Sequence, residues 1–407
     1  MEELIMADTD RDEQYRFMQE TFKDEVSKGR RIWNFIWRTV GHGLVFGIAA
    51  CIAFYVIQPW ASEKFGTKGD SVNVSSSEVN GPGDKERPSV EDYEELKKAL
   101  YEVADKARTS MAEISVVSDE LEDEEKESVS GLIVWKNQSE VEILASSTIL
   151  NENKQLNVTF ADDKSYPVDV KIQDKKLEMA IFTVNTSVLE KSTWDVITCA
   201  KWGDSENISK GSLVICIGQQ LGYQEGAGDG TITSVKKHLS QVDKNYAILT
   251  TDISDVQPGG TGVLFSADGE VVGIADKNTT EVTKSSLISA YAISDIKKDI
   301  EYLLNGRYSP YLGIFGIEVT EDIHKRQQIP IGIYVKKVEA NSPAMKAGIQ
   351  SGDVIVQMNE QDITTLSQYS EILQETTQGR QISFVVKRQG ADEYVNVAIE
   401  ATVGMKN

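Results

Sequence analysis

Between Arg38 and Glu63 the chain carries no Asp, Glu, Lys or Arg, and Val40 to Trp60 is rich in Val, Leu, Ile, Phe, Ala and Gly. A run of that length matches the roughly 20 residues that cross a bilayer as a helix. Trp33 and Trp37 before it and Trp60 after it suit the two membrane interfaces, and His42 reads as an interfacial residue. The run is long for the apolar core of a signal peptide and lies behind a polar stretch, so the pattern predicts a single-pass helix over 39–60. Lys28, Arg30, Arg31 and Arg38 precede it while only Lys64 and Lys68 follow closely, which places residues 1–38 in the cytoplasm and the large C-terminal part outside. Residues 61–90 read as a flexible linker, because Gly66 to Pro88 mixes Gly, Ser, Asn and charge without an apolar period. Ser89-Val90-Glu91-Asp92 then predicts a capped helix, with Tyr93, Leu96, Leu100 and Val103 at three- and four-residue spacing.

From Ile114 to about Ile300 the pattern changes to short β-branched runs separated by turns. Gly131-Leu132-Ile133-Val134-Trp135, Val141-Glu142-Ile143-Leu144, Leu156 to Phe160, Met179 to Val184 and Gly230 to Val235 are examples. Strands at such spacing predict an all-β sandwich or barrel. After Asn305-Gly306 a second module begins, with strand-like Gly316-Ile317-Glu318-Val319 and Ile333-Tyr334-Val335.

A length of 407 residues leaves room for two or three folded units of about 100–200 residues each. The formal charge of −22 argues against nucleic acid as a partner, since phosphate binding needs clustered Lys and Arg. Asp119-Glu120-Leu121-Glu122-Asp123-Glu124-Glu125 reads as a solvated acidic loop, lacking the alternating Asp, Asn and Gly of a calcium loop. No His/Cys cluster has metal-ligand spacing, so neither a metal nor a cofactor is expected. Cys51 lies in the apolar run; Cys199 and Cys216 lie in strand-like runs, and spacing leaves both a bridge and two buried free thiols open.

The most informative string is Gln257-Pro258-Gly259-Gly260-Thr261-Gly262-Val263-Leu264, preceded by Leu249-Thr250-Thr251-Asp252 and followed by Asp268-Gly269 and Val271-Val272-Gly273-Ile274. This order resembles the nucleophile region of trypsin-like serine proteases of the HtrA family, where the loop reads Pro-Gly-Asn-Ser-Gly-Gly-Pro-Leu. Further landmarks in matching order are Gly203-Asp204-Ser205, Lys210 to Val214 leading into Ile217-Gly218, and Tyr291-Ala292-Ile293 before a closing helix near Leu304. In the second module, Asn341-Ser342-Pro343-Ala344-Met345-Lys346-Ala347-Gly348-Ile349 and Gly352-Asp353-Val354-Ile355 resemble the PDZ domain of the same family. After the transmembrane helix read from the apolar run, the resemblance implies a mainly β chain, with a trypsin-like double β-barrel over 91–304 and an α+β PDZ domain over 305–403. It further implies a peptide-carboxylate loop at Tyr311, Leu312, Gly313 and Ile314, with C-terminal or unfolded segments of envelope proteins as partners. Family members commonly assemble as trimers through the barrel, which carries over as an expectation. Asn359-Glu360 stands where the family has an Asn-Gly turn.

Serine proteolysis needs an activated hydroxyl, a histidine base, an acid that orients it, and N–H donors for the oxyanion. Aligned on the family's motifs, Thr261 stands at the nucleophile, Thr148 at the histidine and Glu178 at the acid. A threonine hydroxyl is not a general base near neutral pH. His238, expected in a polar stretch between two strands, and His324, in the PDZ module, are the remaining histidines beyond His42. An internal Thr261 also lacks the free terminal amine that activates threonine hydrolases. Gly259, Gly260 and Thr261 are left as an oxyanion-loop remnant. The leading expectation is a membrane-anchored, extracytoplasmic protein without catalytic residues that binds peptides for quality control, scaffolding or regulation. An endopeptidase with non-standard residues and a peptide sensor signalling through the cytoplasmic tail are the alternatives.

Overall fold

A computed structural model describes residues 40–41, 43–57, 89–117, 127–150, 155–222, 226–257 and 260–405. The chain divides into two units, Met1–Glu86 and Arg87–Asn407. In the first, residues 40–41 and 43–57 are helical. Among the described residues no helix is long and apolar enough to cross a membrane. Trp33, Trp37, Trp60, the linker from Gly66 to Pro88 and the acidic loop at Asp119 to Glu125 lie outside the described residues.

The second unit opens with the helix Val90–Arg108. Ser89 accepts from the Asp92 N–H while the Asp92 carboxylate takes the Ser89 N–H, a reciprocal capping box. Leu100, Ala104 and Ala107 recur on one face and are buried.

Seven strands follow: β1 (Met111–Val116), β2 (Ser128–Lys136), β3 (Glu140–Ser146), β4 (Leu156–Phe160), β5 (Ser165–Pro167), β6 (Asp169–Asp174) and β7 (Met179–Asn185). They form one antiparallel sheet in the order β5-β4-β1-β2-β3-β7-β6. The next seven are β8 (Lys201–Trp202), β9 (Leu213–Gly218), β10 (Ala227–Gln241), β11 (Lys244–Ser254), β12 (Gly262–Ser266), β13 (Glu270–Ala275) and β14 (Leu287–Ala292). Their order is β12-β9-β10-β11-β14-β13-β8, and an additional β12–β13 pairing closes six of them on themselves.

The apolar runs are continuous because these strands are buried on both faces. In β2, Ile133 points into the first sheet's own core while Leu132 and Val134 face the second sheet. In β9 and β12 the same alternation sends Val214, Cys216 and Leu264 inward and Ile215, Ile217, Val263 and Phe265 to the shared layer. The shared core between the sheets also takes in Leu100 and Ala104 of the first helix and Ile296, Ile300 and Leu303 of the closing helix Ile293–Leu304. Cys216 is buried and Cys199 exposed, both free.

The last module holds β15 (Pro310–Tyr311), β16 (Ile314–Val319), β17 (Gly332–Val338), β18 (Val354–Met358), β19 (Gln361–Asp362), β20 (Gln381–Gln389), β21 (Tyr394–Thr402) and β22 (Gly404–Met405). Its main sheet runs β16-β17-β18-β20-β21, leaving β16 at the edge, and β15 pairs with β22. The helix Leu366–Glu375 buries Leu366, Tyr369 and Leu373 in a separate core with Ile314, Ile333 and Phe384. His238 corrects one expectation, for it lies within β10 and not between strands. The long β10–β11 hairpin is a two-stranded ribbon with exposed positions on both faces of β10, so polar sequence there is compatible with strand.

Candidate functional site

The first candidate site lies between the two barrel sheets, beside Thr261 and Glu178. Thr261, Glu178, Ser130, Ser146, Leu144 and Asp276 are among the residues lining one pocket there. The volume open to the centre of a water molecule is only ≈ 20 Å³, about what one or two waters occupy. Thr148 sits in a single helical turn, Ser147–Ile149, directly after β3. Its side chain is exposed and its hydroxyl lies 2.9 Å from Ser146 Oγ.

Thr261 is 6% exposed, and its hydroxyl is held by the backbone of β2. Thr261 Oγ1 accepts from the Ser130 N–H at 2.7 Å and donates to the Ser130 carbonyl at 3.4 Å. The Gln219 N–H lies between the Thr261 carbonyl, at 2.9 Å, and Ser130 Oγ, at 3.0 Å. Thr261 is therefore a clamp between the two sheets. Gly260 is crowded on its Cβ side by the backbone of Gln219, Gln220 and Gln257 at 3.1–3.2 Å, so this close approach favours glycine. Its N–H donates to the Gln257 carbonyl at 2.9 Å and thus faces its own turn. Gly259, the remaining member of the oxyanion-loop remnant, lies outside the described residues.

Glu178 holds a left-handed backbone with φ 51°, and its carboxylate accepts from Asn278 Nδ2 at 3.0 Å. Beside it Asp276 caps the helix Lys277–Thr283, accepting from the Thr279 N–H at 3.0 Å. Asp276 Oδ2 is buried with no hydrogen-bond partner among the described residues, as is the Tyr291 hydroxyl. Burial, opposed by the Thr279 N–H and reinforced by the Glu178 charge, pushes the Asp276 carboxyl up to about 7. Desolvation also raises the Tyr291 phenol. Asp276 escaped the sequence reading, although it follows Val272-Gly273-Ile274 closely. The cleft thus holds carboxyls and hydroxyls, and neither His238 nor His324 lines its pocket.

The second candidate site is the loop Tyr311 to Ile314. Gly313 has φ 95°, and a Cβ there would meet Ser342 Cβ at 2.3 Å, so only glycine fits. The Leu312 carbonyl accepts from the Ala344 N–H at 2.9 Å and the Gly313 carbonyl from the Glu339 N–H at 2.8 Å. The Tyr311 hydroxyl donates to the Glu339 carboxylate, and burial and that carboxylate raise the phenol. With their carbonyls held, the N–H groups of Leu312, Gly313 and Ile314 converge on one point. Asp243, from the turn between β10 and β11, is there. Its Oδ2 accepts from Leu312 and Gly313 at 2.9 and 2.8 Å, and its Oδ1 from Ile314 at 2.9 Å. The Tyr369 hydroxyl donates to Oδ1 at 2.7 Å, the Asp243 N–H to the Ile314 carbonyl at 2.7 Å, and Ser370 Oγ to the Asp243 carbonyl at 2.8 Å. Burial and the Asp243 charge push the Tyr369 phenol well above its ordinary value, so it stays a donor. Nothing in Val242-Asp243-Lys244 marks this role, beyond an acidic residue at a hairpin turn.

Known proteins align with both parts of this architecture. The family model of a trypsin-like peptidase domain matches residues 129–274, and that of a PDZ domain matches residues 334–388, beginning after the Tyr311 to Ile314 loop. "Serine protease Do-like HtrB" of Bacillus subtilis (strain 168) is 29% identical over 289 residues, covering 66% of this chain and 61% of that protein. "Probable periplasmic serine endoprotease DegP-like" of Marinomonas sp. (strain MWYL1) is 24% identical over 274 residues, covering 64% of this chain and 54% of its own length. The chain thus spans less than two thirds of the length of these relatives. Among solved structures, the HtrA-type protease AlgW with decapeptide has a TM-score of 0.56 at 19% identity, covering 76% of this chain and 99% of that one. The serine endoprotease from Yersinia pestis has a TM-score of 0.51 at 19% identity, covering 79% and 100%. At such identity the structural likeness establishes the fold alone. Fold and matches together define a trypsin-like peptidase domain followed by a PDZ domain. Over both domains the chain is similar to HtrA-type proteins.

Proposed function

We propose that this chain is a proteolytically silent HtrA-type protein that binds peptide or unfolded protein segments through its PDZ module. The observation that carries this reading is the Thr261 hydroxyl, which is buried and tied at both lone pair and proton to the Ser130 backbone. A hydroxyl becomes a nucleophile when a neighbouring base takes its proton. Here the base position is Thr148, exposed and bonded to Ser146, and the acid position is Glu178, bonded to Asn278. Peptide binding is supported by the Gly313 loop and the edge strand β16, which together have the form of a carboxylate nest, here filled by Asp243, at the start of a sheet edge. The related AlgW structures with bound decapeptide and tripeptide agree with it.

An anchor at the N-terminal apolar run, with the second unit on the extracytoplasmic side, completes the proposal. The uncharged stretch between Arg38 and Glu63, the helical residues 43–57 and the periplasmic naming of a relative support it. The deciding experiment is hydrolysis of denatured casein by the purified full chain and its Thr261→Ala variant. No turnover by either is expected; turnover that disappears in the variant would overturn the silent reading. Carbonate extraction of membranes tests the anchor, which fails if the chain is released.

A further inference from the structure

We propose that the β10–β11 hairpin is a built-in ligand of the PDZ loop, its Asp243 side chain standing where the terminal carboxylate of a bound peptide would stand. This rests on the reading of the PDZ module as a peptide binder. Two independent features of peptide-end capture meet at Asp243. One is a carboxylate received by successive backbone N–H groups, here three at 2.8–2.9 Å, with the Tyr369 hydroxyl as a fourth donor. The other is the first rung of strand addition, the Asp243 N–H on the Ile314 carbonyl at the exposed edge of β16. A residue that merely satisfied three N–H groups would not need that rung.

The occupancy is tight. Asp243 is 3% exposed, holds a left-handed φ of 63°, and is gripped from the helix side by Ser370. Charge-assisted bonds to ionised carboxylates are the stronger class, so an incoming chain end must replace all of them. Further along β16, the Leu366 N–H at the start of the helix Leu366–Glu375 donates across to Glu318 at 2.7 Å. A free C-terminal carboxylate therefore binds only when the hairpin tip leaves. Its apparent affinity is reduced by the fraction of molecules in which the loop is empty. The ligand class is an extended peptide with a free α-carboxylate; an amidated end offers the loop no charge.

The test uses the full chain in detergent and a fluorescein-labelled, randomised decapeptide pool made with free or amidated C-termini. Fluorescence anisotropy is read for wild type, Asp243→Ala and Tyr369→Phe. Hydrogen exchange of the Leu312 to Ile314 amides is followed without peptide. We expect Asp243→Ala to bind the free-carboxylate pool at least about tenfold more tightly than wild type. The amidated pool gains nothing, and the loop amides exchange faster. Tyr369→Phe, which keeps the ring packed, moves both readouts in the same direction by less and serves if Asp243→Ala does not fold. Equal affinities in wild type and variants overturn the proposal. If no protein binds the pool, the peptide-binding reading fails by itself. Exchange then decides the hairpin: faster loop exchange in the variants supports its occupancy, and unchanged exchange overturns it.

Discussion

Asp276 shows how one side chain can be at odds with its surroundings. Its carboxyl is buried, half-partnered and beside the Glu178 charge, and it titrates near 7 in the folded chain against 3.8 ordinarily. The folded state therefore holds the proton more tightly, and stability falls as pH rises from about 4 to about 7, then levels. Asp276→Asn keeps a good helix cap and removes the charge. Thermal unfolding of the variant should match wild type near pH 4 and exceed it at pH 8, by up to about 4 kcal/mol. A constant difference across that range would contradict the assignment. Glu360 is a second misfit, with φ 65° in the turn after Asn359 at φ 47°. A left-handed non-glycine residue costs about 1–2 kcal/mol, so Glu360→Gly should raise the urea midpoint. The turn's departure from Asn-Gly was legible in the sequence. The Asp276 environment was not, because its neighbours Glu178, in the turn before β7, and Tyr291, in β14, come from distant parts of the chain.

At the scale of elements, periodicity carried most of the information. The helix at Val90–Arg108 follows from the Ser89 and Asp92 pairing and from apolar spacing, both of which are local. Ser89→Ala should lower stability by about 1 kcal/mol in denaturant titration. A much smaller loss would mean that burial of Leu100 and Ala104, and not the cap, holds this end. Strands β2, β3, β7 and β9 were equally visible, since burial on both faces leaves long β-branched runs. The β10–β11 ribbon was less so. Its Lys236, Lys237 and His238 are exposed, and polarity there resembles a loop until pairing with β11 is seen.

Across the whole molecule, the hairpin tip joins the barrel to the PDZ module. Lys244 donates to Asp299 of the closing helix at 2.5 Å, both groups buried, and Tyr246 and Ser309 share that carboxylate. Tyr302 on the same helix donates to the Gln374 carbonyl at 2.6 Å. Removing one partner of a buried pair leaves the other charge uncompensated, at a cost of about 3–5 kcal/mol. Lys244→Met should show a loss of that size in urea unfolding, together with faster tryptic cleavage between the barrel and the PDZ module. An unchanged midpoint would mean that Asp299 is satisfied by its hydroxyl partners alone.

By itself, the sequence determined that a trypsin-like peptidase module precedes a PDZ module. Residue identity, motif order and apolar period are properties of neighbouring positions, so they can be read without a fold. Tertiary structure alone decided that the Thr261 hydroxyl belongs to Ser130, 131 residues away, and that the Gly313 N–H belongs to Asp243, 70 residues away. Hydrogen bonds between segments so far apart depend on how sheets close and pack, and that leaves no mark in any local window of the chain.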